Sequence, residues 1–155
     1  MASQKLQGSS LLTVIPSDNA PLPTNTKPLT GTNSNAVANQ LVAAAGSFPV
    51  GVVNAGDVVY NLTDSLAAVV NSRVSETELI LNADIFAATG KSFAIYRPET
   101  QGAVLYVGGD GNLSVTTASG TSATFVGLLA GTFLPINVTR VNATGTTATN
   151  IIAIW

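Results

Sequence analysis

The feature that most constrains the fold is a series of short β-prone runs that begins after Asp57 and continues to the end of the chain. Each run is rich in Val, Ile, Thr, Tyr or Phe, and turn-forming residues separate it from the next. The runs cover residues 58–62, 67–74, 78–81, 93–97, 104–107, 113–117, 123–127, 136–141 and 148–154. Spacing of this kind is typical of a sandwich or a barrel. We therefore expect an all-β fold, built as a single antiparallel β-sandwich that is jelly-roll-like.

Two glycine-containing segments predict how neighbouring runs connect. Residues 108–112 read Gly-Gly-Asp-Gly-Asn and lie between two runs. Primed hairpin turns need residues that tolerate a positive φ, so this segment predicts a hairpin between 104–107 and 113–117. The sequence Ala-Ser-Gly at 118–120 predicts that 113–117 and 123–127 are consecutive antiparallel strands.

Residues 1–35 differ in composition from the rest of the chain. They hold four of the seven prolines among Ser, Thr, Asn and Gly, with one short β-prone run at 11–15. Proline removes a backbone donor and pushes its predecessor toward extended conformations, which disfavours a helix or a central strand. We expect an extended N-terminal arm over 1–35, with a disordered tail or linker as the alternative, and a β-sandwich body over 36–155. Residues 36–45 admit either a short helix or a strand through 41–45, and we favour the strand.

The composition excludes most catalytic and metal-binding chemistry. The chain of 155 residues contains no His and no Cys, so it can form neither a Ser-His-Asp triad nor a zinc site of the usual kind. Glu76 and Glu78 could face the same way on a strand, as paired carboxylates do in glycosidases, but adjacent surface carboxylates more often have no such role. Lys91 follows Gly90, yet Ile85 occupies the position of the first glycine of a phosphate-binding loop. We expect no enzymatic activity, no cofactor and no metal.

The charge pattern argues against nucleic acids and membranes as partners. Six Lys and Arg against eight Asp and Glu give a net charge of −2, whereas nucleic-acid binding depends on basic side chains. Polar residues and prolines interrupt the longest uncharged stretches, 28–56 and 111–139, so neither supplies the ~20 apolar residues of a membrane-spanning helix. The run 11–15 is shorter than the ~7–15-residue core of a signal peptide. We therefore expect synthesis in the cytoplasm.

The few charged residues are unevenly placed along the chain. Only 9% of residues are charged, against about 25% in an average globular chain. Ten of the fourteen charged residues lie between 57 and 110, and the arm and the last strands are nearly without charge. Such surfaces can contact another protein without desolvating charge. The arm and the last strands are therefore the predicted contact surfaces.

Residues 103–155 carry a pattern that resembles a known family. The pattern starts with AVLYVGGDGNLSVTT at 103–117, continues with TFVG at 124–127 and ends with AGTFLPINVTRVNATGTTATNIIAIW at 130–155. It resembles the C-terminal module of head-associated proteins of tailed bacteriophages and gene-transfer agents, a family that includes spike-base proteins and capsid decoration (cement) proteins. The resemblance covers about a third of the chain.

The resemblance implies a structural virion protein that is made in the host cytoplasm and binds the outer surface of a tailed-phage capsid. There it would stabilise the shell by bridging neighbouring capsomers. Its partners would be the major capsid protein and further copies of itself, a homotrimer being favoured over a pentamer. The main alternative is a five-fold vertex spike-base or fibre-attachment protein. A glycan-binding module that uses Tyr60, Asn61 and Asp64 is a further alternative.

Eight residues are predicted to contact these partners. In the arm, the run 11–15 would add a strand to an exposed sheet edge through main-chain hydrogen bonds. A terminal tryptophan is usually frayed, so we expect Trp155 to be fixed either in the chain's own core or at a subunit contact. The predicted contact residues are Leu11, Leu12, Val14, Ile15, Pro21, Pro23, Arg140 and Trp155.

Overall fold

The computed structural model describes residues 8–24, 26 and 28–155, which form strands joined by turns and loops. In this part of the chain, the structure has no helix with the length and apolarity needed to span a membrane. The strands are β1 (Leu11–Thr13), β2 (Leu29–Asn35), β3 (Gln40–Ala43), β4 (Val58–Asn61), β5 (Leu66–Arg73), β6 (Glu78–Leu81), β7 (Ser92–Tyr96), β8 (Ala103–Gly109), β9 (Gly111–Thr117), β10 (Ser122–Leu128), β11 (Thr132–Val141) and β12 (Thr149–Ile154).

The predicted all-β, antiparallel fold is confirmed, and it consists of two sheets. Each of the nine β-prone runs coincides with a strand from β4 to β12, with ends that shift by a few residues. The strand alternative for residues 41–45 is confirmed as well, because β3 covers Gln40–Ala43.

The first sheet is a closed barrel with the strand order β2-β3-β6-β5-β4-β7. Alternate residues of its strands point inward, as in β6, where Leu79 and Leu81 are buried and their neighbours are half-buried. β4 is buried along its whole length because both of its faces are covered. Val59 faces the barrel core, whereas Val58 and Tyr60 belong to a second cluster on the outside of the barrel.

The second sheet is open, with the strand order β1-β12-β8-β11-β9-β10. It has its own core of buried apolar side chains. These are Val14, Leu22, Ala103, Leu105, Val107, Leu113, Val115, Leu134, Val138, Val141, Ala148, Ile151 and Ala153. The sheet leaves β1 at one edge and β10 at the other.

The hairpin predicted across residues 108–112 is wrong. β11 lies between β8 and β9, because its Val138 pairs with Ala103 of β8 and with Thr117 of β9. The glycines serve close packing instead: a Cβ on Gly111 would lie 2.5 Å from the backbone nitrogen of Ala148. The second predicted connection is confirmed, since β9 and β10 pair as consecutive antiparallel strands.

The described residues 8–24, which we call the N-terminal strap, contact both sheets. β1 pairs with β12 at the edge of the open sheet. Val14 and Leu22 of the strap are buried in the core of that sheet. Leu12, Ile15 and Ala20 pack in the cluster on the outside of the barrel. Because the strap contributes side chains to both clusters, it fixes the barrel against the open sheet.

The predicted arm boundary at residue 35 does not match a boundary in the fold. Leu29–Asn35 form β2, which pairs with β3 and β7 in the barrel. The strand lacks an apolar alternation, and its buried Asn33 accepts a hydrogen bond from Lys91 N at 2.7 Å and donates one to Ala88 O at 2.9 Å. Polar contacts of this kind leave no signal in a hydrophobicity pattern. Residues 1–7, 25 and 27 of the predicted arm lie outside the described residues.

Candidate interaction surface

Most of the predicted contact residues of the strap are used inside the chain. Val14 is buried in the open-sheet core, and Leu12 and Ile15 pack against the outside of the barrel. Leu11 is the exception, because it remains 69% exposed on β1. The prediction that the run 11–15 adds a strand to a partner's sheet edge differs from the structure, in which residues 11–13 form β1 and pair with β12 of the same chain.

The two prolines predicted as contacts lie beside the segment 97–102, which joins the barrel to the open sheet. Pro21 is half-buried, and Pro23 is buried and forms a bridge with Pro98. Between them, Leu22 N donates to Thr139 O at 2.7 Å, and Leu22 O accepts from Glu99 N at 2.7 Å. These prolines thus shape the junction between the two sheets.

Trp155 is fixed at the same junction, as predicted, and its contacts are with its own chain. The ring packs against the open-sheet core, and its Nε1 donates to Glu99 Oε2 at 2.7 Å. Glu99 is buried, and its Oε1 also accepts from the backbone nitrogens of Gln101 (2.7 Å) and Gly102 (3.1 Å). The C-terminal residue and the connecting segment are therefore tied to one carboxylate.

Arg140 is half-buried on β11 and pairs with a neighbouring amide. Its Nε donates to Asn142 Oδ1 at 2.7 Å, and Asn142 Nδ2 donates in turn to Ser114 Oγ at 3.1 Å. The guanidinium thus belongs to a polar network between β9 and β11. This position gives it a part in holding the sheet together.

The exposed surface that stands out is the free edge of the open sheet at β10. We call residues 122–133 the β10 surface; they comprise β10, the turn after it and the start of β11. They include no charged residue, and they expose Val126 (78%), Leu129 (69%) and Phe133 (59%). The Phe133 ring packs on Tyr106 with the ring centroids 5.1 Å apart, so it is held in place.

The β10 surface can bury apolar area and has a free strand edge, with the Asp110 carboxylate hydrogen-bonded to its Ala130 N at 2.6 Å beside the turn. An edge strand presents unpaired N–H and C=O groups, and charged side chains are one common means of blocking such edges. A bulge between Phe125 and Leu128 twists this edge, with Gly127 at a φ of 66° and its N–H bonded to Asn112 Oδ1 at 3.0 Å. The bulge fixes the shape of the surface.

In the sequence, this surface was indicated only by the absence of charged residues. The uncharged stretch 111–139 includes it, but the three exposed apolar residues were not among the predicted contacts. Val115 and Val126 look alike in the sequence, although the first is buried and the second is exposed. The order of the strands in the sheet decides which of them reaches solvent.

In the proposed glycan site, Asn61 Nδ2 donates to Asp64 Oδ2 at 2.9 Å, but two of the three residues are buried. Tyr60, proposed for glycan binding, is buried, and burial raises its pKa well above the usual value. Asn61 is also fully buried. Glu76 lies in the turn before β6 and Glu78 lies at its start. Among residues 8–24, 26 and 28–155, no group of three acidic side chains comes close enough to hold a metal ion.

Comparison with known proteins found no relative of this chain. No protein-family model matches the chain, and no curated protein or solved structure is detectably similar to it.

Proposed function

We propose that this chain is a structural protein of a tailed-phage virion that binds the outer surface of the capsid and bridges neighbouring capsomers. The observation that carries the proposal is the β10 surface, whose residues include no charged one and expose three large apolar side chains: Val126 on the edge strand, Leu129 in the turn and Phe133 at the start of β11. Exposed apolar residues that occur together are typical of protein–protein contact sites. The resemblance of residues 103–155 to head-associated phage proteins supports the same function, and the β10 surface lies within that segment.

We place the proposed contact with the shell at β10 rather than at β1, the other edge strand of the open sheet. β1 is only three residues long, whereas β10 has seven, so β10 offers the longer edge for pairing with a sheet of the capsid. The free edge at β10 can make the same kind of main-chain pairing. The strap then has a different task, which is to hold the barrel and the open sheet in one orientation while the shell is bound.

Stabilisation of the shell follows from selective binding. A protein that binds the assembled lattice and not the free capsomers shifts the equilibrium toward the lattice by mass action. A homo-oligomer, for which we favour a trimer, would present several copies of the β10 surface at once and gain from multivalency. A native mass measurement distinguishes the trimer of a decoration protein from the pentamer of a five-fold vertex protein.

The experiment that tests the proposal compares Val126→Lys with Val50→Lys on undecorated capsids. Val126 is 78% exposed on the β10 surface, and Val50 is 84% exposed in a loop of the barrel, which makes them a matched pair. Burying a valine contributes about 1.5–3 kcal/mol, so Val126→Lys should weaken binding at least about tenfold, as measured by cosedimentation with capsids. Val50→Lys should bind as the wild type does, and both variants should keep its unfolding temperature. Equal binding by all three proteins would contradict the proposed contact.

A further inference from the structure

Three polar side chains meet where β4 ends and β7 begins, outside the surface described above. Asp64 lies between the other two: its Oδ1 accepts from Lys91 Nζ at 2.9 Å, and its Oδ2 accepts from Asn61 Nδ2 at 2.9 Å. One carboxylate thus bridges a primary amine and a carboxamide. β4 and β7 are neighbours in the barrel, with Asn61 opposite Phe93 in the register.

The Asn61 carboxamide is held in a fixed orientation that polarises its carbonyl. Its Oδ1 accepts from the backbone nitrogens of Thr63 and Asp64, both at 3.0 Å. Its Nδ2 donates to Ile85 O at 2.6 Å as well as to Asp64. The residue is fully buried. Two N–H donors on one carbonyl oxygen are the arrangement that stabilises an oxyanion during attack on the carbonyl carbon.

Lys91 is held beside this carboxamide by their shared partner, since Lys91 and Asn61 bind the two oxygens of the same Asp64 carboxylate. Its backbone is bound to β2 through Asn33 Oδ1 at 2.7 Å, and its side chain is only 24% exposed. Hydrogen bonds from Lys91 and Asn61 hold the pKa of Asp64 below its usual value, so the resting pair is an ammonium and a carboxylate, and the proton must move to Asp64 before the amine can attack. The carboxylate lies within hydrogen-bond distance of both reacting nitrogens, as an acid–base group must.

We infer that Lys91 and Asn61 form an intramolecular isopeptide bond with Asp64 as the acid–base group. Asp64 takes a proton from the Lys91 ammonium, and the freed amine attacks Asn61 Cγ. Asp64 then gives the proton to Nδ2 as the Cγ–Nδ2 bond breaks. The new bond joins Lys91 Nζ to Asn61 Cγ, and ammonia leaves and takes up the second proton of the lysine as ammonium. No oxidant or cofactor is required.

Such a bond would connect two neighbouring strands covalently in a chain that has no cysteine. Disulfides rarely form in a reducing cytoplasm, whereas an amide forms there without any redox partner. The bond would close the loop from residue 61 to residue 91 at one end of the barrel. The inference does not depend on capsid binding, because it concerns residues of the barrel, whereas the β10 surface belongs to the open sheet.

Mass spectrometry of the full-length protein tests the inference. After incubation of the folded protein near neutral pH, we expect its mass to be lower than the sequence mass by one ammonia. A tryptic digest should contain the peptide with Asn61 joined to the peptide with Lys91. Lys91→Arg keeps a positive charge beside Asp64 but has no amine, and Asp64→Asn lacks the proton carrier. Both variants should keep the full mass.

The wild-type digest alone can overturn the inference, since separate peptides with Asn61 and Lys91 intact would show that no bond forms. Asn61 could also lose ammonia by forming a succinimide with its own backbone. Loss of ammonia that persists in Lys91→Arg would have that origin and would contradict the isopeptide bond. A linked peptide in Asp64→Asn would contradict the role of Asp64.

Discussion

Replacing Glu99 with alanine should loosen the junction where the strap, the connecting segment and the C-terminus meet. The Glu99 carboxylate accepts three hydrogen bonds, from Trp155 Nε1 and from the backbone nitrogens of Gln101 and Gly102. Alanine removes the acceptor for all three. The affected donors lie after β12 and before β8, two segments far apart in the sequence, so the change acts on the tertiary arrangement.

The size of the effect depends on how much water can replace the carboxylate. A hydrogen bond to a charged group contributes about 1.5–3 kcal/mol, and a donor left without a partner in the interior loses that amount. Gln101 is exposed and Gly102 is half-buried, so water can satisfy those two nitrogens. Trp155 is half-buried too, but its ring packs against the open-sheet core, so its bond is the main loss, and we expect about 2 kcal/mol. For a chain of this length that corresponds to a fall of roughly 4–8 °C in the unfolding temperature.

Trp155 is the single tryptophan, and its fluorescence reports on the junction directly. In Glu99→Ala, the emission should shift to longer wavelength because the indole N–H becomes hydrated. Thermal unfolding followed by circular dichroism gives the change in stability. Glu76→Ala is the control, since Glu76 is exposed and should unfold at the wild-type temperature. An unfolding temperature of Glu99→Ala within 1 °C of the wild type, with unchanged emission, would refute this reasoning.

Two further predictions follow from the backbone and the ionisable groups. Gly111→Ala should destabilise the chain by about 3 kcal/mol or more, because Gly111 has a φ of 148° and the new Cβ would meet the backbone of Ala148. Gly51→Ala, with a φ of 79° and open space around it, should cost only about 1 kcal/mol; equal costs in urea unfolding would contradict the close approach. Hydrogen bonds from Thr144 hold the pKa of Asp18 below its usual value, so its contribution to stability is present at neutral pH and is lost as the pH falls through the lowered pKa. Asp18→Asn should therefore lose less stability than the wild type between about pH 6 and pH 2, and parallel curves would argue against this role.

The strands of this fold could be predicted because their residues alternate or form β-prone runs. β6 shows this well, since Leu79 and Leu81 face the core and Ile80 between them does not. β2 was not predicted because its buried residue is the polar Asn33, which is held in place by hydrogen bonds. The glycines of 108–112 predicted a turn, whereas close contact with residues 147–150 accounts for them. In each failure, a contact with a distant part of the chain determined the structure.

The candidate surface could be predicted only as a region. A lack of charge in residues 111–139 indicated contact with another protein, but Val115, Val126 and Phe133 carry no local mark of being buried or exposed. The arm was predicted to donate a strand outward, and the structure shows that its run pairs with β12 at the other end of the same chain. Pairing between residues 140 positions apart leaves no pattern in either segment alone.

The central claim is that the chain binds the outside of a phage shell through the β10 surface. Cryo-electron microscopy of expanded, undecorated capsids mixed with the purified protein tests it most directly. We expect added density on the outer surface between capsomers, with the β10 surface against the shell, and none with Val126→Lys. Capsids that remain bare at saturating wild-type protein would contradict the claim, and so would density that contacts the shell through the barrel alone.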